Sequence, residues 1–463
     1  MEGPSLPLDP HEGIAPVVVI SDAEAAHLVS DDLRATILRI ALPAVASSLL
    51  MTIFSSVDAF WVGTRIGADG LAAVSTSLFW IWMVVSFAEM IGVGLTAVVA
   101  RRYGERRGLE ATRVAGDALV FAVVLGCMVA AIGLAVLPRL FAVMETPPDV
   151  TALGTRYLSV YLLGTPLIYG FFAVDASFRA SGDTRTPFIL LAASVAVTLV
   201  LDPALLLGLG PFPKLGIAGA AIATIATRGV AFVLGIGIAV RRGLLRLGRV
   251  RWESIRAVCR VGLPTAITGS TFSLIYVALT RTTTKFGTPA LAALGIGHRV
   301  ESWLFMIGVG FGAATAAIVG QNLGADQPER AARSGWIAVG YCSALGLVAC
   351  VLELIFPRQF AGLFTSDPAV IAEGVRYLRI AAFSQLGVCA EIVLEAAMGG
   401  AGDTVPPMLS STAITASRIP LAAWAAIRWG SVGIWWVISL TAIARAIAMM
   451  LLWGSKRWQG RTV

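Results

Sequence analysis

The chain is short of charge. Only 14% of its 463 residues are Asp, Glu, Lys or Arg, against 57% apolar, and the mean hydropathy is +0.82. A soluble domain of this size needs many more charges on its surface, so the composition points to a membrane protein. Histidine is scarcer still, with three in all and only His298 beyond the N-terminal arm. The five cysteines (Cys127, Cys259, Cys342, Cys350, Cys389) include no CxxC pair and fall mostly in apolar runs, which argues against a disulfide framework or a metal site. HExxH and GxSxG are both absent, so no enzyme chemistry is expected and no cofactor is called for. A basic leader is missing too: residues 1–33 hold seven acids and no Lys or Arg, the composition of a mobile acidic tail.

What the chain does have is long apolar runs. A membrane-crossing helix needs about 20 apolar residues. Twelve stretches qualify, at 36–62, 70–100, 115–137, 154–178, 187–209, 216–240, 261–284, 289–320, 335–356, 374–399, 407–428 and 431–453. They are apolar all round and too long for barrel strands, so an all-α integral membrane fold is expected. Of the 35 basic residues, 19 fall on one side of this layout: seven in 241–260, five in 101–113, and the rest in 179–185, 321–333 and the C-terminal tail. This bias places the basic loops and both termini in the cytoplasm of a multi-pass cell inner membrane protein. The net charge of +7 therefore implies contact with lipid and not with nucleic acid.

Part of the chain is written twice. RASGDTRTP (179–187) returns as GGAGDTVPP (399–407), with Gly182, Asp183, Thr184 and Pro187 each 220 residues before Gly402, Asp403, Thr404 and Pro407. ALPAVASS (41–48) faces GLPTAITG (262–269), GADGLAAVS (67–75) faces GTPALAALG (287–295), and Arg102-Tyr103-Gly104 faces Asn322-Leu323-Gly324. The expected organisation is a six-helix lobe at 36–240, a basic linker at 241–260, a second six-helix lobe at 261–453 and a tail at 454–463. Six spans return the chain to its starting side, so the lobes form a parallel repeat about a pseudo-twofold along the membrane normal. Secondary transporters use such repeats, with the site between them near mid-membrane. Pro43 and Pro264 recur in the first helix of each half, and Pro43 is read as a bending point for gating.

Acids inside apolar spans are functional candidates, because each costs roughly 3 kcal/mol at the bilayer centre. Asp58 and Asp202 stand out, since the matching positions near Leu279 and at Ala422 are apolar. Fold symmetry does not require them. Two carboxylates facing one another disfavour double ionisation, so the pair holds a proton, or a cation such as Na+. Asp175 and Glu395 occupy matching positions, Glu391 shares a helix face with Glu395, and His298 and Glu301 share another. With Tyr161, the residues Asp175, Glu395, His298 and Glu301 are the candidates for lining a substrate cleft. Glu89, Asp117 and Glu353 read as structural or helix-end acids. Gly92, Gly94, Gly308, Gly310 and Gly312 read as close-packing positions.

ALPAVASSLLMTIFSSVDAFWVG (41–63), FRASGDTRTP (178–187), VGQNLGA (319–325) and MGGAGDTVPP (398–407), in this order and spacing, resemble the multidrug and toxic-compound extrusion (MATE) family. The resemblance covers about 36–453. It implies two lobes around a cleft, alternating access, and export of organic cations or other amphipathic small molecules against inward proton or sodium movement. Asp58 and Asp202 match the family's acids on the first and fifth helices. Thr198 stands where members with an N-lobe cation site carry an asparagine, and Thr224 or Thr227 matches a threonine of the sixth helix. Losing that amide oxygen favours protons over sodium. A monomer is expected. The alternative is a flippase of lipid-linked saccharides, which would gather Arg228, Arg281, Arg299 and Arg418 into a basic cleft.

Overall fold

The computed structural model describes residues 27–66, 68–143 and 147–461; the acidic arm expected at 1–33 lies largely outside them. Twelve spans emerge in chain order. They are α1 (Leu33–Arg65), α2 (Ala68–Gly104), α3 (Gly108–Val143), α4 (Pro148–Leu163 and Thr165–Ser181, bent by 49°), α5 (Arg185–Leu207) and α6 (Ile217–Arg241). The second half repeats them as α7 (Trp252–Thr284), α8 (Thr288–Gly324), α9 (Pro328–Ile355) and α10 (Pro368–Ala381 and Gln385–Gly400). The continuous helix Val405–Gly454 breaks at Gly430 (φ 64°, ψ −147°) into α11 and α12. Only a residue without Cβ takes that conformation without strain.

Two boundaries move. The basic run expected as a linker over 241–260 divides: Trp252–Arg260 are already helical and open α7. The remainder straps across the start of α3, with the Arg246 amide donating to Thr112 O at 3.1 Å and Arg251 pairing with Asp117 at 3.1 Å. The C-terminal segment does not trail free. Trp458 is buried and stacks on Trp453 at 3.9 Å, while Lys456 and Arg461 pair with Glu329 and Asp403. An indole sandwich with two ion pairs is enough to dock so short a segment.

The lobes exchange their first helices. The opening half of α1 (Leu33, Ile37, Ile40, Ala41) packs in a core with Phe311 and Ile318 of α8, Cys342 of α9 and Val393 of α10. Further along, Phe54 packs on Leu191 and Val195 of α5. α7 mirrors this: Val258 and Ala266 belong to the first lobe's core, and Leu279 to the second's. Pro43 sits where α1 passes from one core to the other. Its carbonyl accepts the Ser47 hydroxyl at 3.0 Å, as the Pro264 carbonyl accepts that of Thr268 at 3.0 Å.

At the basic-loop end the lobes meet backbone to backbone. A Cβ on Gly104 would stand 2.0 Å from Gln321 O, and one on Gly324 would stand 2.2 Å from Arg101 O. These glycines match across the repeat and face one another, so the pseudo-twofold passes between them. The repeated turns lock this end. Thr184 donates to Ile40 O at 2.8 Å, and Thr404 donates to Val261 O at 2.7 Å. Each threonine therefore grips an exchanged helix three residues before its proline. Asp183 and Asp403 hold their turns and pair with Arg242 (2.7 Å) and Arg461 (3.0 Å). Gln321 adds a bond to Ala180 O at 2.7 Å. At the far end α1 and α7 have passed to opposite cores.

Candidate functional site

α1 and α5 bring the side chains of Asp58 and Asp202 together in the first lobe. Asp58 is 8% exposed and Asp202 2%, and one oxygen of each has no partner. Two carboxylates held this close disfavour double ionisation, so the pair suits a shared proton or a bound cation. Asp202 precedes Pro203, which lacks an N–H and leaves the Leu199 carbonyl without its helical donor.

Beside the pair runs a chain of hydroxyls. Thr198, one turn before Asp202 on α5, lies 2.6 Å from the Thr227 hydroxyl on α6. Each also sits within bonding distance of its own helix carbonyls, Ser194 O (2.7 Å) for Thr198 and Ala223 O (2.9 Å) for Thr227. A hydroxyl has one proton, so either threonine must forgo a backbone bond to serve the other, and the pair can switch direction. Of the two threonine candidates on α6, Thr227 makes this contact; Thr224 contributes its backbone carbonyl to Thr227 at 3.2 Å. α4 closes the site: Tyr157 lies within electrostatic reach of Asp58, Asp202 and Arg228, and Tyr161 near Arg228. Arg228 itself lies against Met51 Sδ at 3.2 Å. The acids, hydroxyls and phenols of one lobe thus gather in a single polar cluster. No group of three or more metal-ligating residues occurs among the described residues. For sodium the cluster offers the two carboxyls and the hydroxyls of Thr198 and Thr227.

The other candidates assemble elsewhere. Glu301 accepts the Tyr377 hydroxyl at 3.3 Å on both oxygens. His298 stands edge-on to Tyr276 at 4.1 Å with its Nε2 buried and unpartnered. Asp175 pairs with Arg179 at 2.7 Å, so its charge is matched within α4. Glu395 lies near Glu391 and Arg445, which themselves pair at 2.9 Å. Tyr161, assigned above to a substrate cleft, belongs with the carboxyl pair.

Three residues carry more than the sequence revealed. Glu89 reads as a helix-end acid, yet it lies within electrostatic reach of Arg179 of its own lobe and Glu395 of the other, with its side chain exposed. Tyr157 lacked any motif; its match 220 residues on, Tyr377, is the one usable signal. Arg418 is 3% exposed and donates to Thr441 Oγ1 at 2.7 Å and Ile438 O at 3.4 Å. It does not join Arg281 and Arg299, which are exposed, in one basic cleft. Asp117 and Glu353 are structural, held by Arg251 and by Gln385 at 2.7 Å.

Known proteins resemble the chain throughout. The MatE family model matches residues 43–204 and again 264–424. A probable multidrug resistance protein NorM from Thermotoga maritima is 29% identical over 448 residues, covering 93% of this chain and 94% of its own. An FAD transporter from Shewanella oneidensis is 26% identical over 368 residues, covering 78% and 81%. A multidrug resistance MATE transporter of the MOP superfamily, solved in an outward-facing conformation, superposes with a TM-score of 0.86 at 22% identity, covering 93% and 97%.

Proposed function

The chain belongs to the MATE family of multi-pass membrane transporters, and from that premise we propose that it is a proton-coupled antiporter exporting organic cations or other amphipathic small molecules. The observation that carries this reading is the approach of two buried acids, Asp58 and Asp202, within the first lobe. A buried carboxyl pair binds one proton readily and yields it when a cation or water enters. In the cycle proposed here, substrate leaves from the end opposite the close Gly104–Gly324 contact. Protonation of the pair releases it, and the lobes then exchange the closed end for the open one. The exchanged halves of α1 and α7 are the elements that must bend, at Pro43 and Pro264. The charge bias places the closed end in the cytoplasm. The multidrug resistance name of the Thermotoga relative supports a broad range of small substrates, and sodium is the other ion the pair can hold.

The test is ethidium transport in proteoliposomes with a proton gradient and a sodium gradient imposed separately, for the wild type and Asp58→Asn. Transport under the proton gradient alone, lost in the variant, is the expected result. Transport under sodium alone keeps the site and changes the ion. Folded protein inert under both gradients overturns the reading and shifts weight to lipid-linked saccharides or to an anionic cargo like that of the Shewanella relative.

A further inference from the structure

The end opposite the basic loops carries an arginine cluster that the transport cycle does not use. After α9 the chain turns through the short helix Pro357–Gly362 and enters α10 at Pro368. These two segments enclose a surface pocket of about 570 Å³ lined by Arg358, Arg376 and Arg379, with Ile355, Ile371 and Val375 as its apolar wall. Arg376 pairs with the buried Glu373 at 3.1 Å. Arg358 and Arg379 are exposed and have no ion pair or hydrogen bond among the described residues. Three guanidiniums around one small pocket repel one another, and a single carboxylate offsets only part of that. Ile355 of the pocket wall, and Phe356, Leu363 and Phe364 on the same turn of chain, are apolar and exposed at 60, 42, 76 and 45%. Such a rim belongs at the level where acyl chains meet headgroups.

We propose that this pocket binds the headgroup of an anionic phospholipid from the leaflet opposite the basic loops. The phosphodiester would sit among Arg358, Arg376 and Arg379, since guanidinium pairs bidentately with phosphate oxygens. The acyl chains would lie along Ile355, Phe356 and Leu363. Charge bias empties that side of basic residues, so arginines kept there and left unpaired are matched by an anion. The repeat supplies an internal control. Arg139 and Arg156 match Arg358 and Arg376 in the first lobe, but Ser159 faces Arg379, and Arg139 lies within the unbroken helix α3. The ligand chemistry is a phosphate ester; the apolar rim assigns it to a lipid and not to a soluble phosphate.

The experiment is native mass spectrometry and thermal unfolding of the full-length protein in detergent, with dioleoyl phosphatidylglycerol, dioleoyl phosphatidylcholine or inorganic phosphate added. Phosphatidylglycerol should be retained and raise the unfolding temperature more than phosphatidylcholine. The Arg358→Gln/Arg379→Gln variant should bind it on the order of thirtyfold more weakly, and the Arg139→Gln/Arg156→Gln control should bind as the wild type does. Equal binding by both variants overturns the site. An equal shift with inorganic phosphate overturns the lipid. If the first variant fails to fold, equal retention of the two lipids by the wild type is the result that overturns the proposal.

Discussion

The two lobes share a scaffold and differ in chemistry. Both carry the proline, the threonine latch and the aspartate–arginine turn, with nearly equal distances: Thr184 to Ile40 O is 2.8 Å and Thr404 to Val261 O is 2.7 Å. At the site they diverge. Where the first lobe has Asp58 and Asp202, the second has Leu279 and Ala422, 1% and 0% exposed in a packed apolar core. Where the first has Thr198, the second has Arg418. The matching tyrosines take different acids: Tyr157 lies near Asp58 and Asp202, while Tyr377 donates to Glu301 on α8. Symmetric residues build the gate, and asymmetric ones carry charge. At matching places one lobe sets a carboxyl pair and a hydroxyl, and the other an apolar pair and a guanidinium.

If that division is right, the largest effect comes from its chemical side. Asp202→Asn should lower gradient-driven ethidium transport by about a hundredfold, on the scale of removing a proton carrier. Adding Ala422→Asp should not restore it, because the second lobe lacks the partner acid; restored transport in the double variant would break the comparison. Arg418→Met ranks next. It leaves Glu301 without a nearby buried cation and should lower stability by about 3–5 kcal/mol, against about 1 kcal/mol for Thr198→Val at the matching position. Denaturation in mild detergent compares the two, and equal losses would show that Arg418 is not an electrostatic keystone of its lobe.

The gate should respond alike in both lobes. Gly104→Ala and Gly324→Ala each push a methyl group against the facing backbone, so each should open the closed end. Spin labels on the Asp183 and Asp403 turns would read the separation, and a response to only one variant would deny the pseudo-twofold. The smallest effect belongs to the latches. Thr184→Val and Thr404→Val each remove one buried hydrogen bond, worth about 1 kcal/mol. Both should raise accessibility at the closed end to a similar degree, measured by labelling of an introduced cysteine; inequality would show that the lobes do not share the gate.

Much of this was legible without coordinates. Lipid offers no partner for backbone polar groups, so twelve apolar runs had to become twelve helices, and the recurrence of GDT at 182–184 and 402–404 exposed the duplication. The same recurrence marked Asp58 and Asp202 by what failed to repeat. Their approach, 144 residues apart in sequence, waited on how α1 packs against α5, as did the choice of Thr227 over Thr224. The exchange of α1 and α7 between cores was invisible, because an all-round apolar helix carries no stripe to say which neighbour it prefers. Glu89 and Arg418 changed meaning for the same reason. A residue type states what charge is present, and only the packing of helices from both lobes decides which charges meet in a medium too apolar to screen them.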